Sequence, residues 1–172
     1  MKKYISYETE RLILKPTTKE DAPFILRLLN TPKWIQNIGD RSVRSLKDAE
    51  YYIQEKITPQ LDRLGYSNYT MIRKTDGCKV GSCGLYSREG LEGIDIGFAL
   101  FPEFEKQGYA FEGAQKIMQL AIHEFGLKQI SGITIKENIA SQRLLEKLGL
   151  KFSRTVILPN SQEELLLYQL IL

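Results

Sequence analysis

The stretch that most constrains the fold runs from Ile94 to Ile135. Ile94 to Phe101 has the length and apolar character of a buried strand. After a polar connection, Ala110, Ala114, Ile117, Ala121 and Phe125 recur at helical spacing, and Gly126 closes that helix. Ile130 to Ile135 is again a strand. A strand, a crossing helix and a second strand make a β-α-β unit, and its two strands must run parallel in one sheet.

The flanking segments add antiparallel pieces. Arg11 to Lys15 predicts a first strand, stopped by Pro16. Thr18 and Asp21 form a capping-box pattern ahead of Ala22, Ile25, Leu26 and Leu29, a helix that Asn30-Thr31-Pro32 ends. Lys33 to Arg44 reads as a polar loop holding Trp34. Ser45 and Asp48 repeat the capping pattern before a helix through Ala49, Tyr52, Ile53, Ile57, Leu61 and Leu64, expected to kink or break near Pro59. Tyr69 to Arg73 and Val80 to Tyr86 are strands joined at Thr75-Asp76-Gly77, and Ile94 to Phe101 completes that meander. Asn138 opens a shorter helix closed by Gly149, and the strands Phe152 to Leu158 and Leu165 to Leu172 follow, joined around Pro159-Asn160. The expectation is an α/β (α+β) fold in a single domain over residues 1–172. It has about seven strands in a mixed, mostly antiparallel sheet with one central parallel pair, and about four helices.

Composition narrows the function. At 42% hydrophobic and 26% charged residues, the chain can bury a core without metals or disulfides. Cys78 and Cys83 lack metal spacing and suggest no disulfide framework, so a reducing compartment, the cytoplasm, is expected. Met1 to Tyr7 has no following apolar run of leader length, and no stretch approaches a membrane span. The net charge of +3 is scattered and interleaved with acids, so no nucleic-acid footprint emerges.

The connection Pro102 to Ala110 carries the chemistry. The start of a helix presents unpaired N–H groups and a positive dipole end, which suit phosphate oxygens. Gly108 and Ala110 would let a pyrophosphate approach the backbone, and Lys106 adds charge at the mouth. A tight strand-to-helix turn is the plain alternative. No G-x-x-x-x-G-K-[ST] loop and no G-x-G-x-x-G fingerprint is present, which argues against ATP or NAD dependence.

Three blocks, in order, bring a family into view. Thr9 to Pro16 is one; Asp95-Ile96-Gly97-Phe98-Ala99-Leu100 with Pro102 to Ala110 and Glu112 is the second; Glu137 to Gly149 is the third. Together they resemble the GNAT superfamily of N-acetyltransferases, and most closely its ribosomal-protein alanine acetyltransferase (RimJ/RimL-like) branch. The resemblance implies a GNAT-like fold in which acetyl-CoA lies between splayed parallel strands, here Ile94 to Phe101 and Ile130 to Ile135. It implies direct acetyl transfer to an amine. The N–H groups of Gln107, Gly108, Tyr109 and Ala110 would hold the pyrophosphate; Phe98, Ala99 and Leu100 would line the pantetheine arm, with the N–H near Phe98 serving the developing oxyanion. Asn138 would bond the arm, or simply cap its helix.

The resemblance also has departures. Glu105 stands where the family often has Gln or Arg, and an acid there is unhelpful unless its side chain turns away. Leu145 takes the position of the tyrosine that many members use as proton donor, so Ser141, one turn earlier, becomes the expected donor. Asp95 is the expected general base, acting through water, or else an ordinary strand carboxylate facing solvent. Trp34, Tyr52 and Tyr69, with Ile38 and Tyr66, would line the acceptor or belong to the core. His123 reads as surface, and the cysteines as structural. The acceptor is a protein N-terminus or a small-molecule amine, no metal is implied, and the chain would be a monomer or a homodimer. A non-catalytic acetyl-CoA-binding sensor is the alternative from another class.

Overall fold

The computed structural model describes residues 4–172; the first three residues, part of the leader and domain readings, lie outside the described residues. Five strands form an antiparallel succession: β1 (Tyr7–Glu8), β2 (Leu12–Pro16), β3 (Asn68–Arg73), β4 (Lys79–Ser87) and β5 (Ile94–Leu100). After β6 (Gln129–Thr134), the hairpin of β7 (Lys151–Val156) and β8 (Leu165–Ile171) completes one 8-stranded sheet. Its order is β1-β2-β3-β4-β5-β6-β8-β7, and only β5 and β6 run parallel. The strand beyond the expected seven is the two-residue β1.

The parallel pair is short by construction. Register pairs join Ile94 to Ile130 and Asp95 to Ser131, and then the pairing stops although both strands continue. Beyond Asp95 the backbone edge of β5 has no strand neighbour on that side among the described residues. The sheet therefore opens into a cleft toward the carboxyl ends of β5 and β6.

Alternation along β5 assigns the two faces. Ile94, Ile96, Phe98 and Leu100 pack with α5 (Tyr109–His123), whose Ala114, Ile117 and Ala121 are fully buried. α6 (Ile139–Lys147) lies on this face too: Leu145, 1% exposed, packs over Gly132, where an added Cβ would meet its Cδ2 at 2.5 Å. On the opposite face Ala99 and Phe101 meet a second core formed with α1 (Ala22–Leu29) and α3 (Leu46–Tyr52). Both capping readings are observed: Thr18 N–H donates to Asp21 at 2.9 Å, and Asp48 N–H donates to Ser45 Oγ at 3.0 Å.

One local expectation needs correction and another is met with a detail added. The polar loop after Pro32 contains a short helix, α2 (Pro32–Asn37), because Thr31 caps it and proline suits its first position. The second predicted helix breaks before its proline: a π-helical turn at Ile53–Ile57 separates α3 from α4 (Thr58–Leu64), so Pro59 falls in the first turn of α4, where its missing N–H costs nothing. Among the described residues no helix is long and apolar enough to cross a membrane.

Candidate active site

The phosphate-binding expectation meets a helix start with its donors open. Glu112 is the first α5 residue to bond back, to the Gly108 carbonyl at 3.0 Å. The N–H groups of Gln107, Gly108, Tyr109, Ala110 and Phe111 have no acceptor among the described residues. Gly108 adopts φ +84°, a left-handed conformation that turns the chain from the loop into the helix, and Lys106 is also left-handed. This row of donors lies just past the carboxyl end of β5, beside the cleft. A pyrophosphate fits it: the anion would meet fixed N–H groups and the positive end of a long helix.

The acid in the loop is turned aside. Glu105 forms an ion pair with Lys33 of α2, and Glu103 pairs with Arg27 of α1. Both carboxylates are thereby matched by cations on the opposite face. A cation that the sequence reading left as part of a strand stands at the other side of the helix start. Arg11 donates to the Gln107 carbonyl at 2.9 Å and to Glu112 at 2.9 Å, and its guanidinium covers the Tyr109 ring. Tyr109 itself is buried, so its backbone rather than its side chain faces the loop.

At the far end of the cleft Asn138 caps α6, its Oδ1 accepting from Ser141 N–H at 3.2 Å. The capping alternative is thus what the side-chain oxygen does, while its amide nitrogen has no acceptor among the described residues. Ser141 is half-buried in the first turn, and its hydroxyl makes no hydrogen bond among the described residues. Leu145, which the resemblance sets at the tyrosine position, is sealed in the core, and Ser141 lies one turn earlier on α6.

Asp95 departs from the solvent-facing alternative. It is 1% exposed, and both carboxylate oxygens accept from Arg88 Nε, at 2.9 and 3.0 Å. Burial pushes its pKa up to about 6, with the Arg88 charge opposing that rise. Ser131, its partner across the parallel pair, presents a buried Oγ with no hydrogen-bond partner among the described residues. Asp95 and Ser131 both lie on the face opposite α5, at the point where the strands part.

The same face carries polar groups that sequence reasoning missed. The Tyr86 ring lies against Gly97, where an added Cβ would come within 2.8 Å of Cε2. Its hydroxyl donates to Asn68 Oδ1 at 2.5 Å, and Asn68 in turn donates to Thr17 at 2.9 Å. Arg88 stacks over the Tyr86 ring at 5.0 Å. The available signal was the mid-strand Gly97, which marks a close approach, together with the i, i+2 spacing of Tyr86 and Arg88.

The expected acceptor residues divide. Tyr52 is half-buried and close enough to Arg88 and Tyr86 to interact electrostatically with both. Trp34 is half-buried against the second core, its indole N–H unpaired among the described residues. Tyr69 is a core residue, 1% exposed beside Tyr7 and Cys83, because its register row with Cys83 and Phe98 points toward α5. Tyr66 likewise packs on Phe125 in that core. His123 is exposed; Cys83 is buried and its thiol pushed upward by desolvation, which suits a structural role.

Comparison with known proteins decides the family. The acetyltransferase (GNAT) domain matches residues 11–151. The chain belongs to the GNAT acetyltransferase family. It is an acetyl-CoA-dependent N-acetyltransferase, and the open N–H row and the splayed strands are the parts of this chain that fit the co-substrate. A similar sequence is the uncharacterized N-acetyltransferase YoaA of Bacillus subtilis, 27% identical over 143 residues that cover 83% of this chain and 80% of YoaA. Similar folds include RimL, a ribosomal alpha-N-protein acetyltransferase in complex with coenzyme A, at TM-score 0.80 and 18% identity, covering 95% of this chain and 96% of RimL. The microcin self-immunity acetyltransferase MccE, in complex with acetyl-CoA and AMP, superposes at TM-score 0.77 and 16% identity, covering 95% and 94%. These two neighbours share a fold and differ in what their names say they modify.

Proposed function

We propose that this acetyltransferase moves the acetyl group directly to a primary amine, a protein N-terminal α-amine or a small-molecule amine, without an enzyme-bound acetyl group. The observation that carries the reading is the juxtaposition at the strand splay. Open N–H donors and α6 lie toward one side of it, and the buried Asp95 with its polar neighbours lies on the other. Acetyl-CoA supplies an activated thioester.

The chain's own residues divide the remaining work. The N–H groups of Gln107, Gly108, Tyr109 and Ala110 hold the pyrophosphate. The unpaired β5 edge along Phe98, Ala99 and Leu100, with the Asn138 amide, holds the arm, and the N–H near Phe98 stabilises charge on the carbonyl oxygen. Ser141 donates a hydrogen bond to the departing thiolate and relays a proton to it from solvent water, regaining one as it gives one. Asp95 accepts the amine proton through water, for which the unpartnered Ser131 hydroxyl offers a hydrogen bond. A carboxyl raised to about 6 is a stronger base than an exposed aspartate and remains mostly ionised at pH 7. Tyr52 and Trp34 form the acceptor wall.

Thermal unfolding with acetyl-CoA, ATP or NAD, followed by CoA release over an amine panel, tests this reading. Stabilisation by acetyl-CoA alone, with release on at least one amine, is expected. Stabilisation without turnover on any amine would instead favour a cofactor sensor.

A further inference from the structure

The acceptor side holds a cation only partly used inside the protein. Arg88 follows β4 and is fixed on two sides: its Nε is held by both oxygens of Asp95, and its plane lies over the Tyr86 ring. Its two Nη groups make no hydrogen bond among the described residues, and the side chain is 33% exposed. An arginine anchored through Nε and stacked through its face presents its outer fork pre-oriented, at little conformational cost to a ligand. That fork is the geometry that receives a carboxylate in two parallel hydrogen bonds.

The location gives the fork its meaning. Asp95, the group that faces the amine in the proposed reaction, is the same residue that holds Arg88. An acceptor whose ammonium lies near Asp95 therefore has its neighbouring atoms beside the Nη groups. We propose that Arg88 is the specificity residue of the acceptor site, and that the acceptor is an amine carrying a carboxylate a few bonds away. The Asp95 and Arg88 charges sum to zero, which suits a zwitterion and does not favour a phosphate dianion. Tyr52, adjacent to Arg88, closes this corner with a hydroxyl. Two sources carry such chemistry: a small amino carboxylic acid, or a peptide whose first residues include Asp or Glu. This inference rests on the transfer reading above.

The test compares matched acceptors by CoA release. Amino acids are set against their amides, and peptides with an acidic second residue against the same peptides with its amide, at equal concentration of neutral amine. The expected result is at least a tenfold advantage in kcat/KM for the carboxylate member of one set, which also names the source. In Arg88→Gln that ratio should fall to near one, whatever happens to the absolute rate, while stabilisation by acetyl-CoA persists. Should Arg88→Gln fail to fold with Asp95 left unpaired, the neutral pair Arg88→Gln/Asp95→Asn provides the same ratio. Equal turnover of both members by the unaltered protein would overturn the inference and leave the transfer reading standing. A preference that survives in the variant would overturn it as well. Turnover of no amine at all would remove both.

Discussion

The position of Asp95 makes its role separable from mere structure by pH. Consider Asp95→Asn assayed on an α-amine acceptor of pKa about 8. With the carboxylate present, the rate follows the ionised fraction of a group at about 6, because the base can take the proton from the ammonium form. With Asn, the rate follows the neutral amine alone. At pH 6 the carboxyl is half ionised, and about one amine in a hundred is neutral, so the variant should be slower by about fiftyfold. The deficit shrinks to about tenfold at pH 7 and about twofold at pH 8, and it closes by about pH 9. Single-turnover rates at saturating acetyl-CoA, taken from pH 5.5 to 9, would read this convergence free of product release. A deficit of the same size at every pH would mean that Asp95 only positions Arg88, and the base assignment would be lost.

The same carboxyl has a signature in stability. Its folded pKa lies above the ordinary 3.8, so its contribution is complete below about pH 4 and disappears as pH rises through about 6. Urea unfolding should show about 3 kcal/mol of pH-dependent stability between those limits that Asp95→Asn lacks. Ser141→Ala should lower kcat by at least tenfold with acetyl-CoA affinity unchanged, measured by calorimetry beside turnover; equal losses in both would make the serine a binding group. Gly108→Trp places a side chain at φ +84° and against Arg11 Nη2, 3.2 Å from the Cβ position. It should abolish the thermal shift with acetyl-CoA, and an undiminished shift would remove the phosphate-loop assignment. Lys33→Ala releases the Glu105 carboxylate beside the phosphates and should weaken acetyl-CoA severalfold at low salt, with the loss fading near 1 M salt.

Much of the fold was legible because its signals are local. The 3.6-residue spacing of Ala114, Ile117 and Ala121 and the capping pairs Thr18/Asp21 and Ser45/Asp48 act within one element, and each appears where expected. The break before Pro59 was legible in kind and displaced in position, since a π turn spreads the irregularity over the preceding residues. The open helix start proposed to bind phosphate was legible because it is backbone: the Gly108 turn into α5 needs only a strand, a glycine and a helix. The site was opaque where side chains meet across strands. Nothing in the order of residues shows that Arg88 reaches Asp95, or that Lys33 reaches Glu105, because those pairings depend on register and on the path of α2. Tyr69 stayed open between acceptor wall and core for a related reason: an aromatic in a strand can face either layer, and its row with Cys83 and Phe98 places it in the core only once the pairing is known.

The loop between β5 and α5 is moored to the opposite layer by Arg27 with Glu103 and Lys33 with Glu105. Lys33 sits next to Trp34 in α2, the helix proposed to wall the acceptor side. In the proposed function, one short segment is the floor of the co-substrate compartment and is also tied to the acceptor wall. Occupying that compartment should steady the wall, so a steady-state analysis is expected to show a compulsory order with acetyl-CoA first, enforced by two ion pairs rather than by any contact between the two substrates.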